Sequence, residues 1–115
     1  MKETDYENKL AQLHKSYRES LNEKIIRMTF LWQEIIKNGY LSSSAEFAEL
    51  MLFSHRMAGT GMIYEMPELS LSAKKLEDLL LQLNDHAKNE IDSKDIDLIS
   101  KQLIHLTDVI ENQYK

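Results

Sequence analysis

The chain has 115 residues, with 14 Lys and Arg against 19 Asp and Glu, a formal net charge of −5. That balance argues against non-specific nucleic-acid binding and against docking on an anionic membrane, since both need a basic face. Three Gly, one Pro and no Cys exclude a turn-rich β architecture, a disulfide scaffold, a Cys-based zinc site and a thiol nucleophile.

The N-terminal stretch MKETDYENK is charged and has no apolar stretch of the kind a secretory signal carries. No apolar run approaches the ~20 residues needed to cross a bilayer. A cytoplasmic location is therefore expected, and the lack of Cys fits a reducing compartment. From Tyr6, apolar side chains recur at Leu10, Leu13, Tyr17, Leu21, Ile25, Met28, Trp32 and Ile35, with Leu31 and Ile36 widening the stripe. Steps of three and four predict an amphipathic helix. Ser20 and Asn22 are weak helix formers, so the segment reads as one long helix or two nearly continuous ones. Gly39 is placed to end it at the C′ position.

Ser43 and Glu46 form an S-x-x-E capping box, which predicts a second helix starting near Ser44. Its expected core positions are Phe47, Leu50, Met51, Ser54, Ala58, Gly61 and Met62. Leu52, Phe53 and Met57 add apolar surface elsewhere on it. A helix apolar nearly all round is central in its bundle or covered by a partner. Pro67 suits the first position of a third helix, with Leu69, Ser72, Ala73, Leu76, Leu79, Leu80, Leu83 and Ala87 on one face. The stretch Asn89 to Asp92 reads as a connector. Asp92 or Ser93 then caps a last helix with Ile96, Ile99, Leu103, Leu106 and Ile110 inward and Leu98 and Val109 exposed.

Short connections favour antiparallel neighbours, so the expected architecture is all-α: an antiparallel four-helix bundle with an N-terminal helical extension. Residues 1–115 read as a single domain, with the N-terminal helix over about 4–20 and the bundle over about 21–113. The chain is expected to be a monomer.

Four His are present. The residues three before them are Ala11, Leu52, Leu83 and Gln102, so the Glu-x-x-His pairs of a dimetal bundle are missing. Neither an H-E-x-x-H zinc motif nor a G-x-x-x-x-G-K-[ST] phosphate loop occurs. A self-sufficient enzyme is not expected, nor a resident metal or cofactor. His14 reads as a half-buried packing residue, His86 as a complement to a helix C-terminus, and His105 as solvated.

His55 differs through its neighbours. At roughly 100° per residue it falls just outside the core stripe, sharing a face with Ala48, Met51, Leu52 and Gly59. Gly59 leaves the space beside the imidazole empty, and Leu52 adds apolar surface the core does not need. Such a patch reads as a docking target. Gly59 and Gly61 together forfeit about 2 kcal/mol of helix propensity. Spacing leaves open whether that cost serves close packing or an accessible surface.

The stretch from Ser54 to Glu77, SHRMAGTGMIYEMPELSLSAKKLE, resembles the histidine-containing phosphotransfer (HPt) domain family. The family signature H-x-[LM]-[KRA]-G-[ST]-[AGS]-x-x-[FYL]-G is matched by His55, Met57, Gly59, Thr60, Gly61 and Tyr64. Ala73, Leu76 and Glu77 match the helix that follows. The likeness covers about a fifth of the chain. Ala58 stands where the family usually has a Lys that steadies the phosphoryl group, as in the H-R-[LM]-A-G subset, and Glu65 stands where a glycine usually follows the aromatic.

The resemblance implies a four-helix phosphorelay intermediate, a phosphocarrier rather than an enzyme. His55 would be the phosphorylated nucleophile, reacting through Nε2, which needs a free lone pair. Arg56 would supply the stabilising charge in place of the missing Lys, with Lys74 and Lys75 in the neighbourhood as a solvated face. Ala48, Met51, Leu52 and Gly59 would dock the partner, a response-regulator receiver domain or a histidine kinase. Mg²⁺ is expected in the receiver and no cofactor in this chain. The alternative reading is a helical module that docks a receiver or kinase without being phosphorylated, as inhibitor or scaffold.

Overall fold

A computed structural model describes residues 2–38, 44–86 and 91–113. They form α1 (Lys2–Asn38), α2 (Ala45–Ile63), α3 (Pro67–His86) and α4 (Ser93–Gln113), and no strand occurs among the described residues. Each helix packs against two others: α1 and α3 both lie between α2 and α4. The result is an all-α bundle closed as a ring. Tyr17 meets Thr60 while Arg27 meets Glu49, so α1 and α2 run in opposite senses.

The helix over 2–38 is unbroken. Ser20 is absorbed by donating its hydroxyl to the Tyr17 carbonyl at 2.6 Å. The apolar stripe of α1 nevertheless divides: Tyr6, Leu10 and Leu13 are exposed, whereas Tyr17, Leu21, Ile25, Met28, Leu31, Trp32 and Ile35 are buried. Burial begins at Tyr17 because the α2–α3 corner reaches that level. There the Tyr64 ring stacks on Tyr17 at 4.4 Å and meets the half-buried His14 edge-on at 5.3 Å.

Ser44, one residue later than the capping box places it, is the N-cap of α2; its hydroxyl oxygen accepts the Phe47 N–H at 3.1 Å. Ser43 and Gly39 lie outside the described residues, as do Ala87 and Asn89. Asp92 rather than Ser93 caps α4, accepting the Lys94 N–H at 2.9 Å. Pro67 is the first residue of α3, as its missing N–H requires.

Two assignments on α2 are corrected. Met57, placed outside the core by the sequence, is buried, and Met62, placed inside it, is 65% exposed. The buried set Phe47, Leu50, Ser54, Met57 and Gly61 is centred roughly 40° round the helix from the predicted stripe. The cause is the close approach of α3 at Gly61, which turns the Gly61–Met57 edge inward and the Met62 edge outward. Val109 is corrected as well: it is buried with Leu106 and Ile110, because that end of α4 has α1 beside it as well as α3. Leu98 is exposed, as its position predicts.

Buried polar groups are paired. Gln102 donates to the carbonyl and the hydroxyl of Ser72 at 2.9 and 3.1 Å, tying α4 to α3. The Trp32 indole N–H donates to Ser100 Oγ at 2.9 Å, tying α1 to α4. Among the described residues no buried side-chain nitrogen or oxygen lacks a partner, as a well-formed interior requires.

Candidate functional site

The site begins with the Gly61 contact. A Cβ at Gly61 would lie 3.0 Å from the Ser70 backbone nitrogen and 3.1 Å from its Cα, so only glycine lets α3 approach this closely. Ser70 then donates its hydroxyl to the Ala58 carbonyl at 2.6 Å, a second tie between the helices. Two turns further along α3 comes Glu77, and the approach brings its carboxylate to His55 on α2.

Glu77 Oε2 lies 2.6 Å from Nδ1 of His55. The carboxylate is only 9% exposed, whereas the imidazole is 72% exposed. Glu77 Oε1 accepts from Lys74 Nζ at 3.1 Å, and Lys74 also reaches Asp78 at 3.2 Å. The hydrogen bonds that Lys74 donates to Glu77 and Asp78 raise its pKa above the ordinary lysine range, so a fixed cation faces the carboxylate. An ionised carboxylate only accepts hydrogen bonds. Nδ1 of His55 must therefore carry the proton, and the lone pair of a neutral ring sits on Nε2. A buried acid thus sets the tautomer and orientation of an exposed imidazole.

Beside the imidazole a groove of about 600 Å³ runs between α1 and α2, lined by Lys24, Glu49, Leu52, Phe53, His55, Arg56, Met57, Gly59, Thr60 and Ile63. Its walls are largely apolar, with Leu52 and Ile63 well exposed. A Cβ at Gly59 would meet nothing within 4 Å. The two glycines therefore do different work: Gly61 serves helix packing, and Gly59 leaves open surface next to His55. Of the four residues predicted to dock a partner, Leu52 and Gly59 line this groove. Ala48 is exposed on α2 and Met51 is half-buried against the core, and neither lines it.

Glu49 is held by the Arg27 guanidinium through bonds of 2.7 and 3.1 Å, which keeps its carboxyl below the usual range. That pairing neutralises the one acid in the lining. Lys24 and Arg56 then set the sign of the groove, since neither forms an ion pair among the described residues. Lys24 lies over the Tyr17 ring at 4.7 Å, and burial lowers its pKa. The Arg56 side chain is exposed, while its carbonyl accepts from Thr60 Oγ1 at 2.8 Å. Thr60 in turn pairs with the Tyr17 hydroxyl at 2.5 Å, so the Arg56 turn is anchored to α1.

The remaining candidates are dispersed. His14 packs on Tyr64 at the α2–α3 corner, and His105 is exposed on α4. His86 ends α3, and its side chain lies outside the described residues. Lys75 points to the α3–α4 side, away from His55. Among the described residues no group of three His, Asp or Glu converges as a metal site requires. Glu77 is a functional candidate that residue patterns did not single out for a role, and Lys74, expected only as part of a solvated face, is the cation that pairs with it. The available signal was an acid flanked by Leu76 and Leu80 on the buried face of α3. A carboxylate there is costly unless something pairs with it.

Compared with protein-family models, curated proteins and solved structures, the chain has no match.

Proposed function

We propose that the protein is a histidine phosphotransfer carrier. Nε2 of His55 takes a phosphoryl group from the aspartyl phosphate of a receiver domain, or from a histidine kinase, and passes it to another receiver. The observation that carries this reading is the exposed imidazole whose Nδ1 is held by a buried carboxylate.

The chemistry follows from that arrangement. The Nε2 lone pair attacks phosphorus, the bond from phosphorus to the aspartyl oxygen breaks, and the donor carboxylate leaves with the electron pair. The ring gains positive charge while Nδ1 keeps its proton. Glu77 stabilises that charge through the same hydrogen bond, which strengthens as the ring becomes cationic. No proton needs to move. Transfer onward is the reverse step on a second receiver, whose own Mg²⁺ and charged groups offset the phosphoryl charge. Arg56 adds a cation on the imidazole side. Apolar Leu52 and Ile63, with the space at Gly59, form the surface a receiver rim would cover. The carrier would act as a cytoplasmic monomer.

The test is incubation with phosphorylated receiver domains of the same cell, followed by a search for acid-labile, base-stable phosphate on His55. Absence of such phosphate with every receiver and kinase of that cell would overturn the reading. Glu77→Gln should slow phosphoryl uptake roughly tenfold or more, because a neutral amide supports the cationic ring less well than a carboxylate and no longer dictates its tautomer. Uptake at the unaltered rate would remove Glu77 from the mechanism.

Ala58, in the place of the usual Lys, supports a second reading: a module that docks a receiver or kinase without taking phosphate. Tight binding to a receiver with no labelling of His55 would decide for it.

A further inference from the structure

On the far side of α3 from Glu77 lies a second groove, between α3 and α4, of about 580 Å³. Its floor is apolar: Leu71 is 71% exposed and Leu98 46%, with Leu79 half-buried between the helices. Its rim is basic. Lys75 on α3 and Lys101 and His105 on α4 line it, all exposed, and none is ion-paired among the described residues. The one acid in the lining is Glu68, which has a partner of its own. In a chain of net charge −5, this cluster runs against the overall sign. Asp95 stands beyond Leu79, lining an adjoining cavity of about 80 Å³, so the positive stretch has a defined end.

We infer that this groove is a docking site for an acidic amphipathic helix of a partner protein. Three features fit that occupant. The lining of α3 runs from Glu68 to Leu79, roughly 16 Å at 1.5 Å per residue, the length of about three helical turns. Two antiparallel ridges with apolar residues between them accept a helix that presents anchors at i, i+4 and i+7. The cations on both ridges then meet acids on its flanks. The floor is preformed, because Gln102 is locked to Ser72 by two hydrogen bonds, so docking costs little reordering. The site does not depend on the phosphocarrier reading. Since α3 separates it from His55, both faces can be occupied at once, and a partner held here stays beside the protein while His55 exchanges with others.

The probe is a short acetylated peptide with Leu at i, i+4 and i+7 and Glu on both flanks, titrated into the full chain and followed by backbone amide NMR. Saturable shifts are expected at Leu71, Leu79, Leu98 and His105, with the amides of Leu52, His55 and Ile63 unmoved. The double variant Lys75→Glu/Lys101→Glu, changed only at exposed positions, should keep the native spectrum and bind at least tenfold more weakly. A peptide with Lys in place of Glu should not bind. The inference is overturned by the absence of saturable shifts, by shifts centred on Leu52 and Ile63, by equal binding of the Lys peptide, or by unchanged affinity of the double variant. Anionic phospholipid vesicles titrated in parallel supply the remaining outcome: stronger binding to them than to the peptide would make the groove a lipid contact and overturn it too.

Discussion

Replacing His55 with Gln is expected to abolish the proposed phosphoryl labelling and to leave the helical content unchanged. The fold is insensitive because the imidazole is largely exposed and sits outside the buried arc of α2. Gln is a good helix former, and its amide still offers Glu77 a donor. Glu77 also keeps Lys74 at 3.1 Å, so the buried carboxylate is never left without a partner, the situation that makes removal of one member of a buried pair expensive. Phosphoryl uptake should be lost entirely because an amide nitrogen has no available lone pair with which to attack phosphorus. Circular dichroism checks the first half and acid-labile incorporation the second. Labelling that persists in His55→Gln moves the nucleophile elsewhere, His14 and His105 being the other described candidates.

Gly59→Ala is expected to raise stability, whereas Gly61→Ala is expected to leave it unchanged or lower it. At Gly59 the added methyl meets nothing, so the variant gains about 1 kcal/mol of helix propensity, and its melting temperature rises by about 4 °C. The methyl projects into the space beside His55, so docking of the proposed receiver should weaken as the fold strengthens. At Gly61 the same methyl meets the Ser70 backbone at 3.0 Å. Overpacking against main chain costs about 1–3 kcal/mol, which cancels or exceeds the propensity gain. Moving α3 outward would also withdraw Glu77 from His55, so the proposed phosphoryl uptake should slow although no residue of the site has changed. Thermal unfolding of the two variants and their uptake rates check the pair. A melting temperature that rises equally in both would remove Gly61 from the helix contact.

Much of the architecture was legible because periodicity and capping are local. The stripe of α1, Pro67 at the start of α3 and the cap at Asp92 all depend on residues within a turn or two of each other. What was not legible depended on distance. The rotation of α2 that buries Met57 and exposes Met62 is set by Ser70 on another helix. Val109 is covered because α1 lies alongside. At the site, His55, Leu52 and Gly59 share one helix, and simple angular spacing groups them. Glu77 stands 22 positions from His55, and no spacing rule within a helix joins them. Its presence in the matched stretch marked a position without stating a role, which the bond to Nδ1 supplies.

The overhang of α1 has a consequence for how the molecule breathes. Geometrically the helix is one piece from Lys2 to Asn38, yet its buried core positions begin only at Tyr17, and before them, among the described residues, His14 alone is half-buried, against Tyr64. The uncovered stretch is about as long as the shortest peptides that hold a helix in water, and such helices are marginal. Its backbone bonds therefore open at little free-energy cost, while those from Tyr17 onward open only when the bundle does. One continuous rod is thus two thermodynamic segments, and the stacked rings of Tyr17 and Tyr64 mark the joint between them.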